Sequence, residues 1–259
     1  MEPYLESPRS GPEDEHRPTE HAASGPRPGA LPAMTAREQP AELDPVIEAY
    51  LQDVDRSRLR ANLERSVEER LRSLVELQRF AAEVRRATSA LRPWITIDLE
   101  GLLRRLAVAG VDLVVVGGVA AVAHGGSRFT HDLDLVYSRA PDNLDRLVRA
   151  LAPIAPHLRG APPGLPFRLD HATLRRGLNF PLATKAGEVD LLGEIVGGGS
   201  HEDLVAHSTT WRVFGVPCRF LDLDWLIRVY RATGRPRDLE AVAELEALRF
   251  EAEALRAEI

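Results

Sequence analysis

Two aspartates, Asp132 and Asp134, stand in an alternating polar and apolar run, HDLDLVYS, that predicts a β-strand. Side chains two positions apart on a strand point to the same face, so both carboxylates project together while Leu133 and Leu135 enter the core. Like charges this close repel unless a proton or a cation neutralises them. Mg²⁺ prefers oxygen ligands and often adds substrate phosphates. The pair predicts a metal site, although a solvent-facing edge of an amphipathic strand would alternate in the same way.

A third carboxylate, Asp190, lies between Val189 and Leu191 in a later predicted strand, EVDLLGEI. If that strand lies beside the first, the three carboxylates converge. Such a group can hold two Mg²⁺ ions about 4 Å apart, an arrangement that serves in-line phosphoryl displacement. The alternative is that GEVDLL is simple alternation next to a turn.

A glycine doublet, Gly117-Gly118, ends the apolar run VDLVVVGG and begins a short helix of small residues. Glycine permits close backbone approach, and the free N–H groups of a helix N-terminus bind phosphate readily. Arg128 lies between the doublet and the aspartates, where it is available to a phosphate oxygen. Two alternatives stay open: a tight turn without a ligand, and an ion pair between Arg128 and Asp132.

The elements that position these residues alternate between helix and strand from residue 96 onward. This pattern predicts an α/β (α+β) fold, with a small mixed β-sheet core flanked by helices over residues 96–259. An amphipathic helix, DLEGLLRRLAVAG, precedes the first strand, and another helix begins near Pro141. Two hairpins are predicted, with turns at Lys185-Ala186-Gly187 and at Gly215, before two closing helices.

The chain before residue 96 differs in character. Residues 1–43 are rich in Pro, Glu, Gly, Ser and His, show no apolar periodicity, and are predicted to be disordered. Residues 44–92 predict a two-helix extension, whose second helix opens with a capping box of Ser66 and Glu69. Its expected inward residues are Leu71, Leu74, Val75, Leu77 and Phe80. The extension is too small to be stable alone, so it must pack on the main domain or on a partner.

Composition narrows the class of protein. Of 259 residues, 44% are hydrophobic and 28% charged, as in ordinary globular proteins. The net charge of −6 gives no global electrostatic footprint for nucleic acid, although a local basic patch stays possible. The single cysteine, Cys218, excludes an intramolecular disulfide and is expected in the core. No apolar stretch is long enough for a membrane span and no signal pattern opens the chain, so we predict a cytoplasmic protein without membrane contact.

The order Gly-Gly, short helix, then Arg128-x-Thr130-x-Asp132-x-Asp134 resembles the polymerase-β-type nucleotidyltransferase superfamily. The likeness is to minimal, AbiEii-like bacterial members found in toxin–antitoxin or abortive-infection loci. Their motif is Gly-Gly or Gly-Ser, then Asp-h-Asp-h, then a third aspartate on a later strand. The positions that fit it here are Gly117, Gly118, Asp132, Asp134 and Asp190.

A late stretch, LIRVYRATGRPRDLEAVAEL, extends the resemblance. Related proteins carry a basic residue there, followed by Gly-Arg-Pro-Lys-Asp. The residues that take such places are Arg231, Arg235, Arg237 and Asp238, whereas Tyr230 stands where a lysine is common. The alternative is that these arginines form a solvated helix end.

The resemblance, which covers about residues 96–245, implies Mg²⁺-dependent transfer of a nucleoside monophosphate from an NTP to an acceptor hydroxyl, with release of pyrophosphate. The acceptor would be a tRNA, a protein or a small molecule. The implied ligands of two Mg²⁺ ions are Asp132, Asp134 and Asp190, and the implied nucleotide-binding residues are Gly117, Gly118, Arg128, Thr130, Arg231 and Arg235.

Such a transferase would be the toxin-like part of a toxin–antitoxin or phage-defence system. The alternative is a non-catalytic nucleotide-binding or regulatory protein on the same fold. Residues 44–90 would then act as a lid, as a contact with an antitoxin-like partner, or as an arm that forms a homo-oligomer.

Overall fold

A seven-stranded mixed β-sheet forms the centre of the computed structural model, which describes residues 44–87, 96–162 and 166–258. The strands are β1 (Leu113–Val115), β2 (Asp132–Tyr137), β3 (His157–Leu158), β4 (Asn179–Thr184), β5 (Gly187–Leu192), β6 (Glu194–Ile195), β7 (Gly199–Ser200), β8 (Ser208–Val213) and β9 (Val216–Leu221). The helices are α1 (Pro45–Gln52), α2 (Arg56–Leu63), α3 (Val67–Ala87), α4 (Leu99–Val108), α5 (Gly117–His124), α6 (Pro141–Leu151), α7 (His171–Arg176), α8 (His201–Val205), α9 (Leu223–Thr233) and α10 (Pro236–Ala257).

The strand order is β3-β4-β5-β2-β1-β9-β8, and β6 pairs with β7 in a separate small sheet. At the centre, β1 and β2 run antiparallel, while β2 is parallel to β5 and β1 is parallel to β9. The predicted mixed α/β fold is therefore confirmed. Two strands distant in the chain, β2 and β5, become neighbours in the sheet.

Alternation along β2 and β5 sets which face each side chain occupies. Leu133 and Leu135 of β2, with Val189 and Leu191 of β5, are fully buried. Burying each of these side chains contributes about 2 kcal/mol, and a slip of one residue would expose all four. The apolar core therefore determines the strand register, and with it the face on which the aspartates lie.

Local predictions in the main domain are confirmed. Asp98 caps α4 by accepting a hydrogen bond from the N–H of Gly101 at 3.0 Å, and Pro141 occupies the first turn of α6. The strands β4 and β5 form one predicted hairpin and β8 and β9 the other. Cys218 is buried, and burial raises the pKa of its thiol to about 12.

The N-terminal extension contains three helices, so the prediction of two is wrong. In one continuous helix Leu59 and Leu63 would lie on the face opposite Ile47 and Tyr50, because successive residues turn by about 100°. The break between α1 and α2 lets Ile47 and Leu59 enter the same core. The N–H of Asp53 bonds the carbonyl of Tyr50 and ends α1, while the carboxylate of Asp55 accepts from the N–H of Arg58 and begins α2. The capping box of α3 is confirmed, since Ser66 and Glu69 bond each other's backbone N–H.

The buried face of α3 differs from the predicted one in its second half. Leu71 and Leu74 are buried as expected, but Leu77 and Phe80 are 39% and 63% exposed. Helical spacing continues the buried face instead through Gln78 and Ala82, which are 2% and 4% exposed. Gln78 is buried there because its side-chain amide donates to the carbonyl of Thr130 at 2.6 Å.

The extension packs on the main domain within one compact unit. Glu251 of α10 is only 1% exposed and accepts hydrogen bonds from Arg56 at 3.1 Å and Arg60 at 2.5 Å, both on α2. The disorder predicted for residues 1–43 concerns a segment outside the described residues. Among the helices that the structure describes, none has the length and apolar character required to cross a membrane.

Candidate functional site

The carboxylates of Asp132, Asp134 and Asp190 converge on one face of the paired strands β2 and β5, and we call them the carboxylate cluster. Parallel pairing places Asp134 directly opposite Asp190 and Asp132 opposite Glu188. Each aspartate offers one oxygen, and these oxygens lie within 4.8 Å of one another. The convergence predicted for the three residues is confirmed, and the cluster could hold a metal ion.

Full ionisation of the carboxylate cluster is unfavourable in the absence of a cation. Burial raises the pKa of Asp134 to about 8, and the charges of Asp132 and Asp190 add to this effect. Arg159 and the N–H of Gly118 act in the opposite direction. Burial also raises the pKa of Asp190. The cluster therefore favours a positive partner, either a proton or a cation.

The glycine doublet fits against the cluster so closely that a side chain would not be accommodated. Gly117 has φ +63°, and a Cβ there would lie 2.0 Å from Oδ2 of Asp134. A Cβ on Gly118 would lie 2.6 Å from the Cβ of Thr130. The absence of both side chains lets the first turn of α5 approach the carboxylates, where the N–H of Gly118 donates to Asp134.

Thr130 positions one carboxylate of the cluster. Its hydroxyl donates to Oδ1 of Asp132 at 2.8 Å, and its carbonyl accepts from Gln78 of α3 at 2.6 Å. Thr130 therefore connects an N-terminal helix to the cluster. The sequence marked Thr130 for nucleotide binding, whereas in the structure its hydroxyl binds an aspartate.

Arg128 lies on the loop that leads into β2 but does not form the alternative ion pair with Asp132. Its Nη1 is 3.1 Å from Oε2 of Glu240 on α10, and both side chains are exposed. An exposed pair of this kind contributes little to stability. The guanidinium can therefore exchange Glu240 for a phosphate oxygen at little cost.

The late segment contributes one residue near the cluster and two that lie elsewhere. Arg231 pairs with Glu246 of α10 at 2.6 Å, and Arg235 is exposed at the N-cap of α10. Tyr230 is only partly exposed, and its pKa is raised first by burial and then by the charge of Asp134. Tyr230, which stands where the proteins that this sequence resembles commonly carry a lysine, is thus the residue of this segment on which the charge of Asp134 acts.

Arg159 is a site residue that sequence reasoning missed. Its Nη2 lies 2.8 Å and 2.9 Å from the two oxygens of Asp190, and its Nη1 lies 2.6 Å from Glu188. Its N–H bonds the carbonyl of Pro181 on β4, and Pro181 in turn stands opposite Asp190. The residues around Arg159 in the sequence do not predict this contact, because it depends on the order of β3, β4 and β5 in the sheet.

A comparison of the chain with protein-family models found no match, and a comparison with curated proteins found none. Function is therefore inferred from the geometry and chemistry of the carboxylate cluster and its neighbours.

Proposed function

We propose that the protein is a Mg²⁺-dependent nucleotidyltransferase, which transfers a nucleoside monophosphate from an NTP to an acceptor hydroxyl. The observation that carries this proposal is the pairing of β2 with β5. It brings Asp134 opposite Asp190, beside the N-terminal turn of α5. Carboxylates that bind divalent cations next to a helix N-terminus that attracts phosphate are the elements that this reaction requires.

The donor set fits a hard divalent cation. All three groups offer carboxylate oxygens, which Mg²⁺ prefers. Burial, together with the neighbouring charges of Asp132 and Asp190, raises the pKa of Asp134, so ionisation of the cluster is favoured by a bound cation. Asp132, Asp134 and Asp190 would hold the metal, which when bound supplies charge neutralisation for the phosphate oxygens and the acceptor hydroxyl.

The chain's own residues then have distinct tasks. Thr130 orients Asp132, and the N–H of Gly118 orients Asp134. The acceptor oxygen attacks the α-phosphorus of the NTP, the bond to the β-phosphate oxygen breaks, and pyrophosphate leaves. Asp190 would accept the proton that the acceptor hydroxyl loses, since burial raises its pKa. Arg128 would bind a triphosphate oxygen after release from Glu240.

The test is a labelling experiment with each labelled NTP, Mg²⁺, and total cellular RNA and protein. We expect the full chain to label an acceptor, and Asp132→Asn to reduce the rate by about 100-fold or more, because charge stabilisation at a single position is commonly of that size. Asp142→Asn removes an equal charge from an exposed position on α6 and should leave the rate unchanged. A folded Asp132→Asn variant with full activity would overturn the proposal.

A second candidate, a nucleotide-binding module without catalysis, is favoured by Arg159. Its guanidinium contacts both oxygens of Asp190 and so neutralises the carboxylate that would receive the proton. Binding of NTP that depends on Mg²⁺, with no labelled product, would support this candidate over the transferase.

Arg159→Gln should raise the affinity for Mg²⁺ several-fold, because it removes a cation that competes for Asp190 and makes the cluster more negative. Isothermal titration of the metal into wild type and variant measures the change. Arg175→Gln, an equal loss of charge on α7, serves as the control. Unchanged or weaker Mg²⁺ binding by Arg159→Gln would show that Arg159 positions Asp190 instead of competing for it.

A further inference from the structure

A cavity of about 300 Å³ lies between the N-terminal helices and the loop that leads into β2. Residues of α2 and α3 form one wall, and Val122 with residues 126–128 forms the other. Four arginines line it, namely Arg58, Arg65, Arg70 and Arg128. We call it the arginine pocket. Of the described residues that line it, none is acidic.

The positive charge of the arginine pocket is compensated only in part. Arg128 pairs with Glu240 across an exposed contact. The other three arginines form no ion pair among the described residues; the guanidinium of Arg65 contacts the hydroxyl of Ser73 at 3.5 Å, and its charge also lowers the pKa of Glu69. Ser127 in the same lining donates to the buried carboxylate of Glu244 at 2.6 Å, which places a negative charge behind that wall. The chain as a whole carries a net charge of −6, so the arginine pocket is a local positive region on a protein that is negative overall.

Arg70 is a fixed part of the wall. Its guanidinium donates to the carbonyls of Asn62 at 2.7 Å, Leu63 at 3.0 Å and Ala123 at 2.7 Å. All three acceptors are neutral, so the bonds hold the side chain in place without cancelling its charge. An arginine side chain stays protonated even when partly buried. The pocket therefore contains a positive charge whose position is determined by the fold.

The remaining lining matches a phosphate group that carries an organic substituent. Guanidinium groups bind phosphate oxygens through two parallel N–H bonds, a geometry that the lysine ammonium does not offer. Ser73 adds a hydroxyl, while Leu74, Leu77 and Val122 give an apolar surface. Pockets of this volume are at the small end of those that hold ligands.

We propose that the arginine pocket is a second phosphate-binding site, in which Arg58, Arg65 and Arg70 supply the charge; Arg128, which the proposed function assigns to a triphosphate oxygen at the carboxylate cluster, lies at its border. The phosphate belongs either to a free nucleotide or to the backbone of an RNA strand, since both present the same group. The two sites share the loop that contains Arg128 and Thr130, so a ligand in the pocket lies on the approach to β2.

The experiment measures binding in the presence of EDTA, so that it does not depend on metal at the cluster. Inorganic pyrophosphate is titrated by calorimetry, and a fluorescent single-stranded oligoribonucleotide by anisotropy. The test variant is Arg58→Gln/Arg65→Gln, because both side chains are exposed and neither supports the fold. The control is Arg175→Gln/Arg176→Gln, which removes the same charge from exposed positions on α7.

We expect the pocket variant to lose at least about tenfold in affinity for pyrophosphate, while the control loses less than about twofold, because two bidentate contacts are removed in one case and only distant charge in the other. Arg58→Lys/Arg65→Lys, which keeps the charge, should recover part of the loss. If the oligoribonucleotide binds more tightly than pyrophosphate and loses as much affinity in the pocket variant, the bound phosphate belongs to an RNA strand. If the pocket variant does not change oligoribonucleotide binding, the bound phosphate belongs to a free nucleotide. No binding of either probe by the wild type, or equal losses in variant and control, would overturn the proposal.

Discussion

Asp134→Asn is expected to reduce the proposed Mg²⁺-dependent nucleotidyl transfer sharply and, at the same time, to stabilise the metal-free protein against unfolding. The loss of activity should be about 1000-fold, equivalent to about 4 kcal/mol of transition-state stabilisation. The gain in stability has a separate cause. The pKa of Asp134 is about 8 in the folded protein, against 3.8 for an ordinary aspartate, so the ionised form is disfavoured by folding.

The sign of the pH dependence follows from proton binding. Between pH 3.8 and about 8 the folded protein keeps a proton on Asp134 that the unfolded chain releases. Raising the pH through this window therefore lowers the free energy of unfolding, and the loss is complete above about pH 8. Asparagine cannot ionise, so the variant lacks this contribution.

Urea denaturation of both proteins across the window measures the difference, in which titrating groups distant from the cluster cancel. Above about pH 8, Mg²⁺ should stabilise the wild type but not the variant. A stability difference that does not vary with pH would contradict the assignment of this pKa to Asp134.

Gly117→Ala is expected to destabilise the protein by about 2 kcal/mol more than Gly234→Ala, since overpacking of a filled site costs on this order. The two glycines form a matched pair. Their φ angles are +63° and +62°, so alanine suffers the same backbone strain at both positions. The added Cβ meets nothing within 4 Å at Gly234, but lies 2.0 Å from Oδ2 of Asp134 at Gly117.

The additional cost at Gly117 should be accompanied by weaker Mg²⁺ binding, because the displaced carboxylate belongs to the cluster. Denaturant unfolding gives the two free energies, and calorimetric titration gives the metal affinities. If the two alanine variants unfold at the same denaturant concentration, the close contact between α5 and Asp134 is not present in solution.

Features that depend on a few consecutive residues could be predicted from the sequence. The alternation that places Asp132 and Asp134 on one face, the capping box of Ser66 and Glu69, and the two hairpin turns all depend on residues at most a few positions apart. The glycine doublet was associated with a phosphate ligand, and the structure adds a second reason for it, since Asp134 and Thr130 fill the space that side chains would occupy.

Features that depend on the order of strands and helices could not be predicted in this way. Arg159 contacts Asp190 across 31 residues of sequence, because β3, β4 and β5 are consecutive in the sheet. The break between α1 and α2 was missed for a different reason: Leu59 and Leu63 have helical spacing to each other, but in a continuous helix they would lie opposite Ile47 and Tyr50. Asp53 and Asp55 are its local signal, an aspartate pair that ends one helix and caps the next.

The amide of Gln78 has a consequence for the structural role of the chain's N-terminal half. Through the carbonyl and hydroxyl of Thr130, two successive hydrogen bonds of 2.6 Å and 2.8 Å join α3 to Asp132. A helix so connected supports the carboxylate cluster, in contrast to a removable cover. A substitution at Gln78 would therefore disturb the position of Asp132 from 54 residues away in the sequence, so the extension and the cluster form one structural unit.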